Sequence, residues 1–205
     1  MAGVDPTRVA ANLAAVREEV GPDIRVLTAV KYVDAEDLGG LVEGGVRLAG
    51  ENRAQDLEIK AAAFPQLEWH FIGHLQSRKV KQVLPLVSLI HSVSSDSALE
   101  QLRRHGTDDT EVLVEVNVAR EQGKSGVDPD ALDAFLERCP VRVTGLMTMP
   151  PAAQKPEDSR RWFSALRELA GDRGLRELSM GTSQDYAVAA QEGATIVRVG
   201  SRIFS

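Results

Sequence analysis

Short apolar runs alternate with helix-like stretches along almost the whole chain, and this alternation restricts the fold more than any other feature of the sequence. Runs compatible with a strand occur near residues 25–30, 47–49, 69–72, 89–93, 111–116, 142–146, 177–180 and 195–199. Helix-like stretches at 35–43, 54–63, 78–84, 97–104, 129–138, 157–170 and 184–192 fill the intervals. Strand, helix, strand order at this spacing implies crossover connections, so the strands are parallel and helices cover the sheet. Eight such units predict a closed (β/α)₈ barrel of the TIM type. An open doubly wound sheet is the alternative, but no glycine fingerprint follows the first strand to make it a dinucleotide-binding one.

An extra helix precedes the repeat, with Asp5 as N-cap, Pro6 in the first helical position, an apolar stripe Val9, Leu13, Val16, Val20, then Gly21 and Pro22. The 205 residues, 43% of them hydrophobic, suffice for one substantial core, and no stretch reads as a linker, so residues 1–205 are expected to form one domain. For eight units this length is short, which predicts lean loops. The net charge of -6 and the lack of a basic stripe argue against nucleic-acid binding, with Arg78, Lys79 and Lys81 forming only a small cluster. Cys139 is the single cysteine, so no intrachain disulfide forms. No early apolar segment reads as a signal peptide or membrane span, and a cytoplasmic protein is expected. His70 and His74 are spaced across a strand end and turn without a cysteine partner, so no metal site is expected.

Two ends of the chain carry the candidate chemistry. Lys31 closes the apolar run Arg25-Val26-Leu27-Thr28-Ala29-Val30. A buried strand that delivers an amine into a pocket strips water from the ammonium, lowers its pKa and frees it for Schiff-base chemistry. A strand-end lysine reaching solvent fits the same position. At the other end, Ser179-Met180-Gly181-Thr182-Ser183-Gln184-Asp185 and Arg198-Val199-Gly200-Ser201 follow the seventh and eighth strands, where barrels often hold phosphate. There glycine permits close backbone approach, and Thr182 and Ser183 offer hydroxyls at a helix start. Taken singly, Ser183 as an N-cap and Gly200 as a turn explain these loops as well. Barrel closure pairs the first strand with the eighth, bringing Lys31 toward Arg198 and Gly200. A reactive amine beside a phosphate cradle matches the two anchors of pyridoxal 5'-phosphate, whose ring nitrogen an inward Arg198 would face.

These residues belong to blocks that resemble the YggS/PROSC family of pyridoxal phosphate homeostasis proteins across essentially the whole chain. The blocks are Ala29-Val30-Lys31, Gly50-Glu51-Asn52, residues 69–77, Gly123-Lys124-Ser125-Gly126, residues 145–150, residues 178–185 and Val197-Arg198-Val199-Gly200. The resemblance implies an alanine racemase-like barrel without that enzyme's second domain. By position it places the Schiff base on Lys31, the phosphate at Thr182, Ser183, Gly200 and Ser201, and the ring nitrogen at Arg198. Asn52, Met149 and Met180 fall on strand ends that line the family's pocket. Thr182 replaces a usual methionine, and Tyr32 a usual small or polar residue. The implied function is non-catalytic storage, buffering or delivery of pyridoxal phosphate by a monomer, with apoenzymes as candidate recipients.

Two enzymes compete with that reading. An amino-acid racemase needs bases on opposite faces of the substrate carbon, and the chain offers only Tyr32, expected to point away from Lys31, and Tyr186 in a helix. A Schiff-base aldolase acting on a sugar phosphate would not need Arg198. Glu51 is expected to pair with a neighbouring arginine. Lys124 is either a second amine near the cofactor or a solvated loop residue.

Overall fold

The computed structural model describes residues 4–204. Its strands are β1 (Arg25–Ala29), β2 (Leu48–Glu51), β3 (Glu68–Phe71), β4 (Leu89–Val93), β5 (Glu111–Glu115), β6 (Arg142–Met147), β7 (Glu177–Thr182) and β8 (Ile196–Val199). They close in sequence order into one barrel, every pair parallel, with β1 hydrogen-bonded to both β2 and β8. The expected (β/α)₈ barrel is therefore the fold, and the open sheet is excluded.

The helices are α1 (Pro6–Val20), α2 (Leu38–Glu43), α3 (Ala54–Ala63), α4 (Val80–Val83), α5 (Asp96–His105), α6 (Leu132–Arg138), α7 (Arg160–Gly171), α8 (Tyr186–Gln191) and α9 (Ser201–Phe204). The extra helix α1 has the expected cap: Asp5 accepts the Thr7 N–H at 2.9 Å, Pro6 opens the helix, and Val9, Leu13, Val16 and Val20 are buried. It packs against α2, α8 and α9 and so covers the seam where β8 is followed by only one helical turn. Several helices are shorter than their patterns, their first turns tightened to 3₁₀. Pro85 closes α4 in such a turn, because a proline nitrogen has no hydrogen to continue the ladder.

Burial on both faces splits the core in two. The main cluster lies between strands and helices, while Leu27, Leu48, Leu89, Leu113, Met147 and Ile196 fill the barrel interior. Each fully buried leucine there contributes on the order of 2 kcal/mol by leaving water. The interior is not wholly apolar: His70, His91, Ser179 and Arg198 are also buried. No helix among the described residues is long and apolar enough to cross a membrane.

Candidate functional site

Inward side chains on barrel strands share one parity, so successive inward residues climb toward the carboxyl rim. On β1 the series is Leu27, Ala29, Lys31, and on β8 it is Ile196, Arg198, Gly200. At that rim the barrel opens into a cavity of about 1030 Å³, lined in part by Lys31, Asn52, Met149, Thr182, Ser183, Arg198, Gly200 and Ser201. Met180 alone of the nominated residues lies elsewhere. Ser179 faces the interior, so the next side chain on β7 points outward, and Met180 is fully buried against the helices. The methionine that joins Met149 at the cavity is Met147, from β6.

Thr28 of β1 pairs with Val199 of β8, and a Cβ placed on Gly200 would lie 3.2 Å from the Ala29 carbonyl oxygen. Lys31 and the loops after β7 and β8 thus share one rim. Of the two placements open to it, a buried amine or a strand-end lysine reaching solvent, Lys31 takes the second, because the chain leaves β1 at Val30 and turns, with Val33 N–H donating to Val30 O at 3.0 Å. The same turn corrects Tyr32. It is 85% exposed and lines the cavity, its ring centroid 4.6 Å from the Lys31 amine.

Beneath this turn, the Lys60 ammonium from α3 donates to Val30 O at 2.8 Å and forms an ion pair with Glu51. The other Glu51 oxygen accepts the N–H groups of Asn52 and Arg53. Glu51 is fully buried, and its partner is Lys60 rather than the expected arginine. The pair ties the turn bearing Lys31 to the loop bearing Asn52, whose Oδ1 is buried without a hydrogen-bond partner. A buried orphan acceptor facing a cavity is available to a ligand.

The loop after β7 turns at Gly181, with φ +88, where a Cβ would meet Ala189 Cβ at 2.5 Å. Asp185 Oδ1 accepts both the Thr182 N–H (2.7 Å) and the Thr182 hydroxyl (3.0 Å), while its Oδ2 accepts the Ser159 hydroxyl at 2.8 Å. The Thr182 hydroxyl is thus committed to a carboxylate, and this turn delays the start of α8 to Tyr186. Ser183 behaves differently. Its Oγ accepts the Gly200 N–H at 3.0 Å, joining the two loops, and its own proton remains to donate to an anion.

Arg198 is buried at the cavity floor, donating to Ser179 Oγ and to Thr148 O (2.8 Å), with Met149 Sδ 3.0 Å from Nη2. Burial pushes its pKa down to about 10, while Asp185 and Glu115 pull it up, so it remains a cation at neutral pH. Glu115 lines the same cavity and was not apparent in the sequence. Burial raises its pKa, and the Ser125 hydroxyl donates to it at 2.6 Å, which opposes the rise. Lys124 also lines the cavity and pairs with Glu121. His70 and His74 diverge: His70 enters the barrel interior, and His74 lines the rim cavity.

The family model for the alanine racemase N-terminal domain matches residues 4–205. A pyridoxal phosphate homeostasis protein of Aquifex aeolicus is 40% identical over 195 residues, covering 88% of this chain and 86% of that protein. The structure of PipY of Synechococcus elongatus without PLP superposes with a TM-score of 0.87 at 31% identity, covering 96% of this chain and 100% of that one. PipY with PLP bound gives 0.83 at 29% identity over the same shares. Alanine racemase of Corynebacterium glutamicum shares the fold, with a TM-score of 0.80 at 15% identity over 98% of this chain and 62% of that chain.

Proposed function

The chain belongs to the alanine racemase N-terminal domain family and, within it, to the pyridoxal phosphate homeostasis proteins, and from that premise we propose that it holds pyridoxal 5'-phosphate in the rim cavity without turning over a substrate. The observation that carries this reading is the meeting of Lys31, Arg198 and the Ser183–Gly200 junction on one rim. The site's groups fit the cofactor: a primary amine, a buried cation, a hydroxyl proton at the loop junction and an unpartnered acceptor, Asn52 Oδ1. Bound there, pyridoxal phosphate would supply an electrophilic aldehyde carbon, and the Lys31 amine would hold it covalently.

Ser183 and Gly200, with Ser201 beside them, would hold the phosphate, and Asn52 and Met149 would flank the ring. Arg198 would donate to the ring nitrogen. Because a guanidinium keeps its protons, Arg198 would leave that nitrogen unprotonated, and the ring would withdraw electrons less than beside a carboxylate. A racemase needs a second base across from the lysine. The Tyr32 ring stacks against the Lys31 amine, 4.6 Å from its centroid, and the Tyr186 hydroxyl donates to Glu19 at 2.6 Å, beneath α1. Storage, buffering or delivery to apoenzymes by a cytoplasmic monomer is the role we assign. The single cysteine, Cys139, and the scarcity of exposed large apolar side chains among the described residues support that setting.

Mixing the protein with pyridoxal phosphate should produce a yellow imine absorbance that Lys31→Ala abolishes. A chiral assay with alanine and other amino acids should show negligible turnover. A protein that stays colourless would overturn the binding reading, and robust racemisation would overturn the non-catalytic one.

A further inference from the structure

Arg198 is the upper end of a line of polar contacts that crosses the whole barrel interior. Its Nη1 donates to Ser179 Oγ on β7, and Ser179 Oγ lies 2.8 Å from His91 Nδ1 on β4. His91 Nε2 lies 2.9 Å from His70 Nδ1 on β3, and His70 Nε2 lies 3.0 Å from Glu68 Oε1. Glu68 also accepts the Ser88 hydroxyl at 2.8 Å. It is exposed at the start of β3, in a second cavity of about 600 Å³ lined by strand starts, including Arg25, Glu111, Arg142 and Glu177. The line therefore joins the cavity floor at the carboxyl rim to solvent at the opposite mouth.

The two ends fix the direction of every hydrogen bond between them. An arginine only donates, and an ionised carboxylate only accepts. Glu68 is ionised at neutral pH, its pKa lowered to about 2 chiefly by the hydrogen bond from His70. Burial holds His70 below the ordinary histidine range and His91 well below it, so both rings are neutral. His70 must then carry its proton on Nε2 and accept on Nδ1. His91 must likewise donate from Nε2 and accept on Nδ1, which forces the Ser179 hydroxyl to point at His91. Ser179 Oγ is left with its lone pairs toward Arg198. One arrangement satisfies all the groups, and reversing any one bond leaves a buried polar atom without a partner.

We infer that Ser179, His91, His70 and Glu68 act as one directional chain that positions the Arg198 guanidinium, so that a residue at the strand-start mouth of the barrel influences the cofactor held at the carboxyl rim. This rests on the placement of pyridoxal phosphate over Arg198 proposed above. His91 and Ser179 are positioning residues, since they meet the cofactor only through Arg198. A purely structural interior would gain as much from apolar side chains of equal volume, such as Leu27, Leu48, Leu89, Leu113, Met147 and Ile196, which cluster in the same interior. The polar line instead ends on the one cation at the cavity floor.

The test uses the full chain, first freed of pyridoxal phosphate and then reloaded. Long-range nitrogen–proton NMR at neutral pH should show both His70 and His91 as neutral Nε2–H tautomers. In the loaded protein, Ser179→Ala and His91→Phe should weaken pyridoxal phosphate binding about tenfold, the scale of losing a hydrogen bond to a charged group. They should also shift its absorbance band, whereas His91→Gln, which can still accept and donate, restores both. Glu68→Ala, exposed and far from the cavity, should shift the band in the same direction. Ser179→Ala removes a single oxygen and remains informative should His91→Phe fail to fold. An Nδ1–H tautomer or an imidazolium at either ring would overturn the chain. Unchanged affinity and band in Ser179→Ala and Glu68→Ala would overturn its positioning role. Correct tautomers in a chain that never binds pyridoxal phosphate would mark the failure as that of the cofactor reading, and the positioning role would fall with it.

Discussion

Lys60 and Glu51 show how much of the site depends on residues that never touch its ligand. Their buried ion pair holds Val30, next to Lys31, against the loop bearing Asn52. Lys60→Met leaves the Glu51 carboxylate buried and unpaired, and should cost about 3–5 kcal/mol in urea unfolding. Adding Glu51→Gln should recover much of that loss, whereas additive losses would show that the two side chains act independently. The loop after β7 permits a sharper separation. Thr182→Val removes a hydroxyl committed to Asp185 and should lower stability by about 1 kcal/mol with little change in pyridoxal phosphate retention. Ser183→Ala removes the proton that remains for an anion, and should weaken retention about tenfold in equilibrium dialysis. The sequence made both hydroxyls look alike, because the carboxylate that captures one of them, Asp185, is identifiable only once the turn is folded. Lys60 was hidden for a similar reason: it lies in a helix that reads as polar and becomes buried only where α3 meets the turn after β1.

At the scale of elements, strand existence was legible but strand parity was not. A barrel strand is covered on both faces, so its side chains do not alternate apolar with polar in a way that marks inside from outside. Trp69 and Phe71 alternate with His70 on β3, and the structure puts the histidine inward and the aromatic rings against the helices. The same ambiguity misplaced Met180, one position from the inward Ser179, and concealed His91 within the apolar β4. These inward histidines give the fold a pH dependence whose sign can be worked out. Burial depresses both pKa values, so as pH falls the unfolded chain takes up protons first, near the ordinary value of about 6.5. The unfolded state then binds more protons than the native one, and the stability contributed at neutral pH is lost below about 6.5. The slope should approach about 1.4 kcal/mol per pH unit for His91, held well below the ordinary value, and be smaller for His70, where Glu68 opposes the effect of burial. Urea unfolding between pH 7.5 and pH 5 checks it, and His91→Phe should remove the larger part of the slope. A flat profile would mean that folding leaves the pKa values of these rings unchanged, and a stability that rises as pH falls would mean that the folded protein holds them protonated.

The whole molecule depends on closure. The repeat of strand and helix fixed eight parallel units, and parallel units of this number close, which makes the first strand neighbour to the last. That step was available from the sequence because crossover connections and their handedness leave few other arrangements. It brings an amine from position 31 and a guanidinium from position 198 to one cavity, which nothing local to either residue would predict. The depth of each side chain was less legible. The sequence left Lys31 open between a buried and a solvent-reaching position, and the turn after β1 lifts it to the surface of the rim, beside Tyr32. The interior below carries the polar line from Arg198 to Glu68, so the barrel serves at once as scaffold for the site and as the support of its floor. Borohydride reduction of the pyridoxal phosphate-loaded protein, followed by peptide mass mapping, tests the central claim most directly. A single pyridoxyl adduct on the peptide bearing Lys31, with loss of the yellow band, is the predicted result. An adduct confined to other lysines, such as Lys124, or no adduct at all, would contradict it.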